Sequence, residues 1–182
     1  EQSQPRWLAF LNGQIDLIDP VPPDLAKAAV PNAKLAPNLV KQGIHAHTIV
    51  NSDVGFTYFN MDDPLVGGLA PDKVALRRAI SLAYDVEAEI RLVRNGQAIP
   101  AQGPVVPNTY GYDPKLKTAN SEFNPARANA LLDLYGYTDR DGDGWRETPD
   151  GSPLVLEIST QADELQRQLD DQKRKSLSLI GI

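Results

Sequence analysis

The chemistry most legible in this chain is hard-ion chemistry, and it sits in DRDGDGWRETPD, residues 139–150. Set against a twelve-residue calcium loop, Asp139, Asp141 and Asp143 take positions one, three and five. Gly144 takes the sharp-turn position, Trp145 offers a carbonyl at seven, Glu147 stands at nine and Asp150 at twelve. Calcium takes about six to eight oxygens, so the carboxylates must converge, and Gly142 and Gly144 permit the curl that brings them together. The match is incomplete. Asp150 is shorter than the bidentate Glu usual at the last position, and Arg146 stands where an apolar residue is usual. The segment after it reads as a strand, so no paired EF-hand is expected. The two readings are a structural Ca²⁺ loop and a solvated acidic turn between helix and strand.

Other chemistry-bearing residues are sparse. His45 and His47 are the only histidines, and with no cysteine a zinc site would lack further His or Cys ligands. They read as polar residues on an exposed strand face. Asn60 is a candidate for hydrogen bonding in a cleft, or a turn residue capping the loop after it. Tyr58, Tyr110 and Tyr112 could line a peptide cleft or simply pack. Arg77 could meet a ligand carboxylate, though a surface ion pair fits it better. There is no Gly-x-Ser-x-Gly, phosphate loop or His-Glu-x-x-His. No carboxylate pair stands out as catalytic, so no enzyme is expected.

These residues need elements to hold them. Leu76, Ile80 and Ala83 fall at helical spacing after Pro71, and Asp85 can cap a second helix that ends at Asn95-Gly96. Asn124-Pro125 opens another helix, with Ala128, Leu131, Leu132 and Tyr135 inward and Gly136 at its end. A last helix starts near Gln161 and buries Leu165, Leu169, Leu177 and Ile180. Pro5 to Leu11 is a short helix, and Pro23 starts one that Pro31-Asn32 ends; Leu35 to Leu39 reads as irregular. Ile15 to Ile18, Ile44 to Val50, Val54 to Met61 and Pro153 to Ser159 read as strands. Ala98 to Tyr112 is a long Pro- and Gly-containing loop, of the kind that often carries function.

Composition narrows the classes. The 182 residues can build a real core, and no apolar run is long enough to span a bilayer. A net charge of −6 argues against nucleic acid as a partner. Without cysteine there are no disulfides and no thiol catalysis, which fits an oxidising compartment. The chain opens on EQSQPRW without Met and reads as an internal piece of a longer protein.

One stretch carries a specific resemblance. RRAISLAYDVEAEIRLVRNGQAIPAQGPVVP, residues 77–107, resembles the signature segment of the family 5 extracellular solute-binding proteins, the peptide- and nickel-type receptors of ABC importers. Arg77 or Arg78, Ala79, Ile80, Ala83, Asp85, Gly96, Ala98, Pro100, Gly103, Pro104 and Pro107 fill the family pattern. WLAFLNGQIDLID, GFTYFNM, PARANALLDLYGY and the closing Ile180-Gly181-Ile182 extend the likeness over nearly the whole chain.

The resemblance implies an α/β fold: one lobe of a two-lobed periplasmic binding protein, with a mixed sheet packed by helices. Residues 1–50 would be a crossover-proximal segment and 51–182 the lobe core, with the partner lobe and C-terminal part absent. It implies a periplasmic or extracellular, membrane-associated place, and capture of a peptide or similar small solute by hinge closure. Asn60, Tyr58 and Tyr110 would be ligand contacts, and ABC permease subunits the partners. No cofactor is required beyond the candidate structural Ca²⁺. A calcium-stabilised extracellular interaction domain without a transport role is the alternative.

Overall fold

A computed structural model describes residues 3–31 and 34–182. Among the described residues it forms seven α-helices and, at Ala119–Ser121, a 3₁₀ turn. The chain divides into two compact units, Glu1–Ile49 and Val50–Ile182.

The first unit holds α1 (Ser3–Leu11), α2 (Pro23–Ala29) and α3 (Pro37–Lys41). Its small core is Ala29, Ala36 and Leu39, with Trp7, Val21, Leu35 and Ile44 packed against it. Pro23 and Pro37 each open a helix, where the missing N–H would have no intrahelical partner anyway. That is why residues expected to be irregular around Leu39 enter a helical turn. Asn32, read as part of the stop after α2, lies outside the described residues.

The second unit is built on α4 (Pro71–Ala83), which packs against α6 (Pro125–Leu134), α7 (Glu164–Ser178) and the 3₁₀ turn. Ala75, Leu76, Ala79, Leu82 and Ala83 are buried along one stripe of α4, the spacing an amphipathic helix requires. Leu76, Leu132 and Tyr137 are fully buried, with Ala128, Leu154, Leu177 and Ile180 around them. Each buried leucine contributes about 1.5–3 kcal/mol relative to exposure. The caps read from sequence are made. The Asp85 carboxylate accepts from the Ala88 N–H at 2.8 Å and starts α5 (Val86–Leu92). The Asn124 side chain accepts from the Arg127 N–H at 3.0 Å, while α7 starts at Glu164 on a cap the sequence reading did not single out, Asp163.

The expected mixed α/β lobe is corrected. Among the described residues there is no β-strand and no sheet; only two isolated bridges occur, Thr138 with Glu147 and Glu147 with Pro153. Ile44 to Val50, Val54 to Met61 and most of Pro153 to Ser159 have strand composition but no laddered neighbour. A strand exists only where another backbone accepts its N–H and C=O groups. Ile49, Val50, Phe56, Tyr58, Val155 and Ile158 are accordingly exposed. Ile15 to Ile18 forms no strand either.

Two tyrosines tie this unit to pH. The Tyr84 hydroxyl donates to Glu89, whose other oxygen accepts from Arg94 Nε at 2.5 Å. Burial first, then Glu89, pushes Tyr84 well above its ordinary 10.0. Burial, helped by Asp72, pushes Tyr137 up to about 12. Both folded-state values lie above the unfolded ones, so the unfolded chain releases these protons first as pH rises. Their contribution to stability is full below 10.0 and falls as pH climbs through the folded values. Urea midpoints taken on the alkaline side of neutrality should therefore drop beyond about pH 10. Tyr137→Phe should flatten that fall; an unchanged alkaline slope in this variant would contradict the assignment.

Candidate functional site

The Asp-rich loop follows α6 because Gly136, in the left-handed region at φ 81°, ends that helix and turns the chain. Asp139 then organises the loop. Its two carboxylate oxygens accept from the N–H groups of Gly142 at 2.7 Å and Gly144 at 2.9 Å. Asp141 accepts from the Asp143 N–H at 3.1 Å, and Asp143 from the Trp145 N–H at 2.8 Å. Gly142 and Gly144 both have positive φ, 80° and 95°, which allows the curl. Asp139, Asp141 and Asp143 each place a carboxylate oxygen within 4.8 Å of the others, all three side chains exposed.

The remaining loop positions lie outside that cluster. Glu147 accepts from the Arg140 N–H at 2.8 Å. Asp150 accepts from the Thr148 hydroxyl at 2.5 Å and the Ser152 N–H at 3.1 Å, and these bonds hold its carboxyl below the usual range. Trp145 is half exposed. The converging donor set is thus three hard carboxylate oxygens, chemically suited to a hard cation but short of a calcium shell by itself.

Arg146, a mismatch in the calcium pattern, is the residue that fixes the loop. Its guanidinium donates to the carbonyls of Ile180 (2.7 Å) and Tyr137 (2.5 Å), to Asp133 (2.6 Å) and to Asn129 (2.9 Å). Its backbone N–H donates to the Gly181 carbonyl at 2.8 Å. One side chain therefore joins α6, the Asp-rich loop and the turn after α7. An open hollow of about 430 Å³ lies beside it, with Asp133, Thr138, Asp139 and Ser178 in its wall. Because the guanidinium is spent on protein acceptors, the hollow offers carboxylates rather than a free cation. Sequence reasoning missed this clamp; the one signal was an arginine at a position where a calcium loop wants an apolar residue.

The other predicted residues lie on four separate stretches. Asn60 accepts from the Asp62 N–H at 3.1 Å, at the entry to a tight turn. Asp63 continues that turn, accepting from Leu65 and Val66 N–H groups at 2.8 Å each. Tyr58 is exposed, its ring 6.3 Å from that of Phe56. Tyr110, on the long loop, is fully exposed. Arg77 binds no carboxylate among the described residues; it donates to the Val66 carbonyl at 2.5 Å and so pins the turn to α4. His45 and His47 are exposed and enter no metal-type cluster among the described residues.

The sequence profile of the bacterial extracellular solute-binding proteins, family 5 (middle region), matches residues 1–182. The chain belongs to that family. Its proteins are binding components of transporters rather than enzymes, and they work outside the cytoplasmic membrane. Among the relatives, di/tripeptide-binding protein 2 of Pseudomonas aeruginosa is 35% identical over 89 residues, 49% of this chain and 14% of its own length. The glutathione-binding protein GsiB of Pectobacterium atrosepticum is 31% identical over 125 residues, 69% of this chain and 21% of its own. Among solved structures, NikA of Brucella suis in complex with Fe(III)-EDTA superposes on 100% of this chain and 34% of its own, with TM-score 0.69 and 26% identity. The periplasmic oligopeptide-binding protein of Thermotoga maritima covers 100% of this chain and 33% of its own at TM-score 0.66 and 21% identity, a likeness of fold. This family 5 chain thus spans about a third or less of the proteins it matches. No helix among its described residues is long and apolar enough to cross a membrane.

Proposed function

We propose that this chain is part of the substrate-binding component of an ABC importer that captures a peptide or similar small solute. The observation that carries the reading is the family match along all 182 residues. Relatives named for di/tripeptide and glutathione binding support a short peptide as the solute class. In this reading the chain is one segment of a longer receptor with two lobes. Solute binding shifts the receptor from an open to a closed population, and the closed form meets the permease subunits. Tyr58, Asn60 and Tyr110 are the ligand contacts on this segment. Exposed tyrosines suit that task, since they supply contact area and a hydroxyl at low cost in side-chain entropy.

The Asp-rich loop has a second, structural part in the proposal. Asp139, Asp141 and Asp143, with the Trp145 carbonyl, would hold Ca²⁺, and the ion would neutralise three mutually repelling carboxylates. Glu147 and Asp150 would have to leave their present partners to join. Co-purification tests both parts. The intact receptor, isolated without unfolding, should carry solute into native mass spectrometry. It should also carry a calcium adduct that Asp139→Ala removes. A receptor that stays calcium-free in calcium-containing buffer would leave the loop as a self-bonded acidic turn.

A further inference from the structure

The long loop has a lock that the ligand reading does not use. Its two legs meet at Gln102. The Gln102 side-chain oxygen accepts from the Thr118 N–H at 2.8 Å, and its amide nitrogen donates to the Ser121 hydroxyl at 3.1 Å. Ser121 in turn donates to the Ala101 carbonyl at 2.6 Å, and the Thr118 hydroxyl to the Gln102 carbonyl at 2.9 Å. The far leg is itself anchored. The 3₁₀ turn Ala119–Ser121 packs on α4, and the Asn124 N–H donates to the Leu82 carbonyl at 2.7 Å. Residues 103–117 are therefore a closed loop with a hydrogen-bonded neck.

Inside the neck the chain is a series of turns. The Thr109 N–H donates to Val106, Tyr112 to Thr109 and Leu116 to Asp113. Asn108 and Gly111, at φ 65° and 86°, bracket the tip that carries the fully exposed Tyr110. Closing a loop at its base lowers the entropy its tip would otherwise lose on binding. We propose that Gln102 is a positioning residue for ligand: it closes the loop and so presents Tyr110 to the solute in an ordered orientation. This rests on the reading of Tyr110 as a ligand contact.

Three variants of the intact receptor test the inference and that reading. Trialanine is the probe, followed by titration calorimetry and dissociation rate; backbone hydrogen exchange reports on residues 103–117. Gln102→Ala should speed exchange in the loop and dissociation of trialanine, each about tenfold, as loss of a net hydrogen bond or two implies. The melting temperature should hold, because the neck lies outside the buried core. Gln102→Glu keeps the acceptor for Thr118 and should recover most of the affinity. Unchanged loop exchange in Gln102→Ala overturns the inference. So does intact affinity in Gln102→Ala when Tyr110→Ala is weakened. No effect of Tyr110→Ala overturns the ligand-contact reading and, with it, the inference, even where Gln102→Ala loosens the loop. Failure of the wild-type receptor to take trialanine sinks the peptide reading and this inference with it.

Discussion

Arg146→Met should cost this chain about 3–5 kcal/mol, the range for breaking a largely buried charged hydrogen-bond network. The side chain is only 12% exposed, and its partners lie on three different stretches. Hydrogen bonds to a charged donor contribute about 1.5–3 kcal/mol each, though not additively. The ion pair to Asp133 is the smaller part, because that carboxylate is 59% exposed and screened by solvent. The larger part is the pair of part-buried carbonyls, Tyr137 and Ile180, which would lose their donor. Arg146→Lys should rescue little, since one ammonium cannot span acceptors that the planar guanidinium reaches in several directions. Urea unfolding measures the cost. A loss under about 1 kcal/mol would show that the loop and the α7 turn hold without the clamp.

Gly67→Ala should be the most damaging glycine change in the chain. A Cβ there would stand 2.4 Å from the Met61 carbonyl oxygen and 2.5 Å from that of Asp63. Neither oxygen is free to move. The Asp63 carbonyl accepts from the Gly67 N–H at 2.9 Å and the Met61 carbonyl from Gly68 at 3.0 Å, while Arg77 grips Val66 from α4. We expect a loss of about 2–4 kcal/mol, the scale of forced overpacking against backbone. Gly103→Ala is the control. Nothing lies within 4 Å of its added methyl, so its effect should stay within about 0.5 kcal/mol. Equal melting temperatures for the two variants would contradict the turn as described.

What the sequence made legible was whatever local chemistry decides. Helices α4, α6 and α7 carry their own period, and Asp85 and Asn124 cap α5 and α6 with side chains that need no distant partner. The strands failed for the opposite reason. Val54 to Met61 is rich in β-branched and aromatic residues, but such composition records a preference, not the neighbour that must satisfy the backbone. Tyr137 escaped notice because it lies beyond a helix stop, on no periodic stripe, yet it is fully buried. The Asp-rich loop was legible as a curl: Asp139, Asp141 and Asp143 converge where the glycines allow. The positions of Glu147 and Asp150 were not, because nearby N–H groups compete for short acidic side chains. Arg146 left only its mismatch to the calcium pattern as a signal and Gln102 none, since each acts through residues well separated along the chain.

The most direct test of the central claim is native mass spectrometry of the intact receptor, purified without unfolding. Bound solute is expected on a defined fraction of molecules, as a broad envelope of short-peptide masses that denaturation releases. One sharp small adduct, a sugar or a metal chelate, would contradict the peptide assignment while keeping a solute receptor. A receptor that co-purifies with nothing, and gains no mass when offered trialanine, other short peptides, sugars or metal chelates, would contradict solute capture itself.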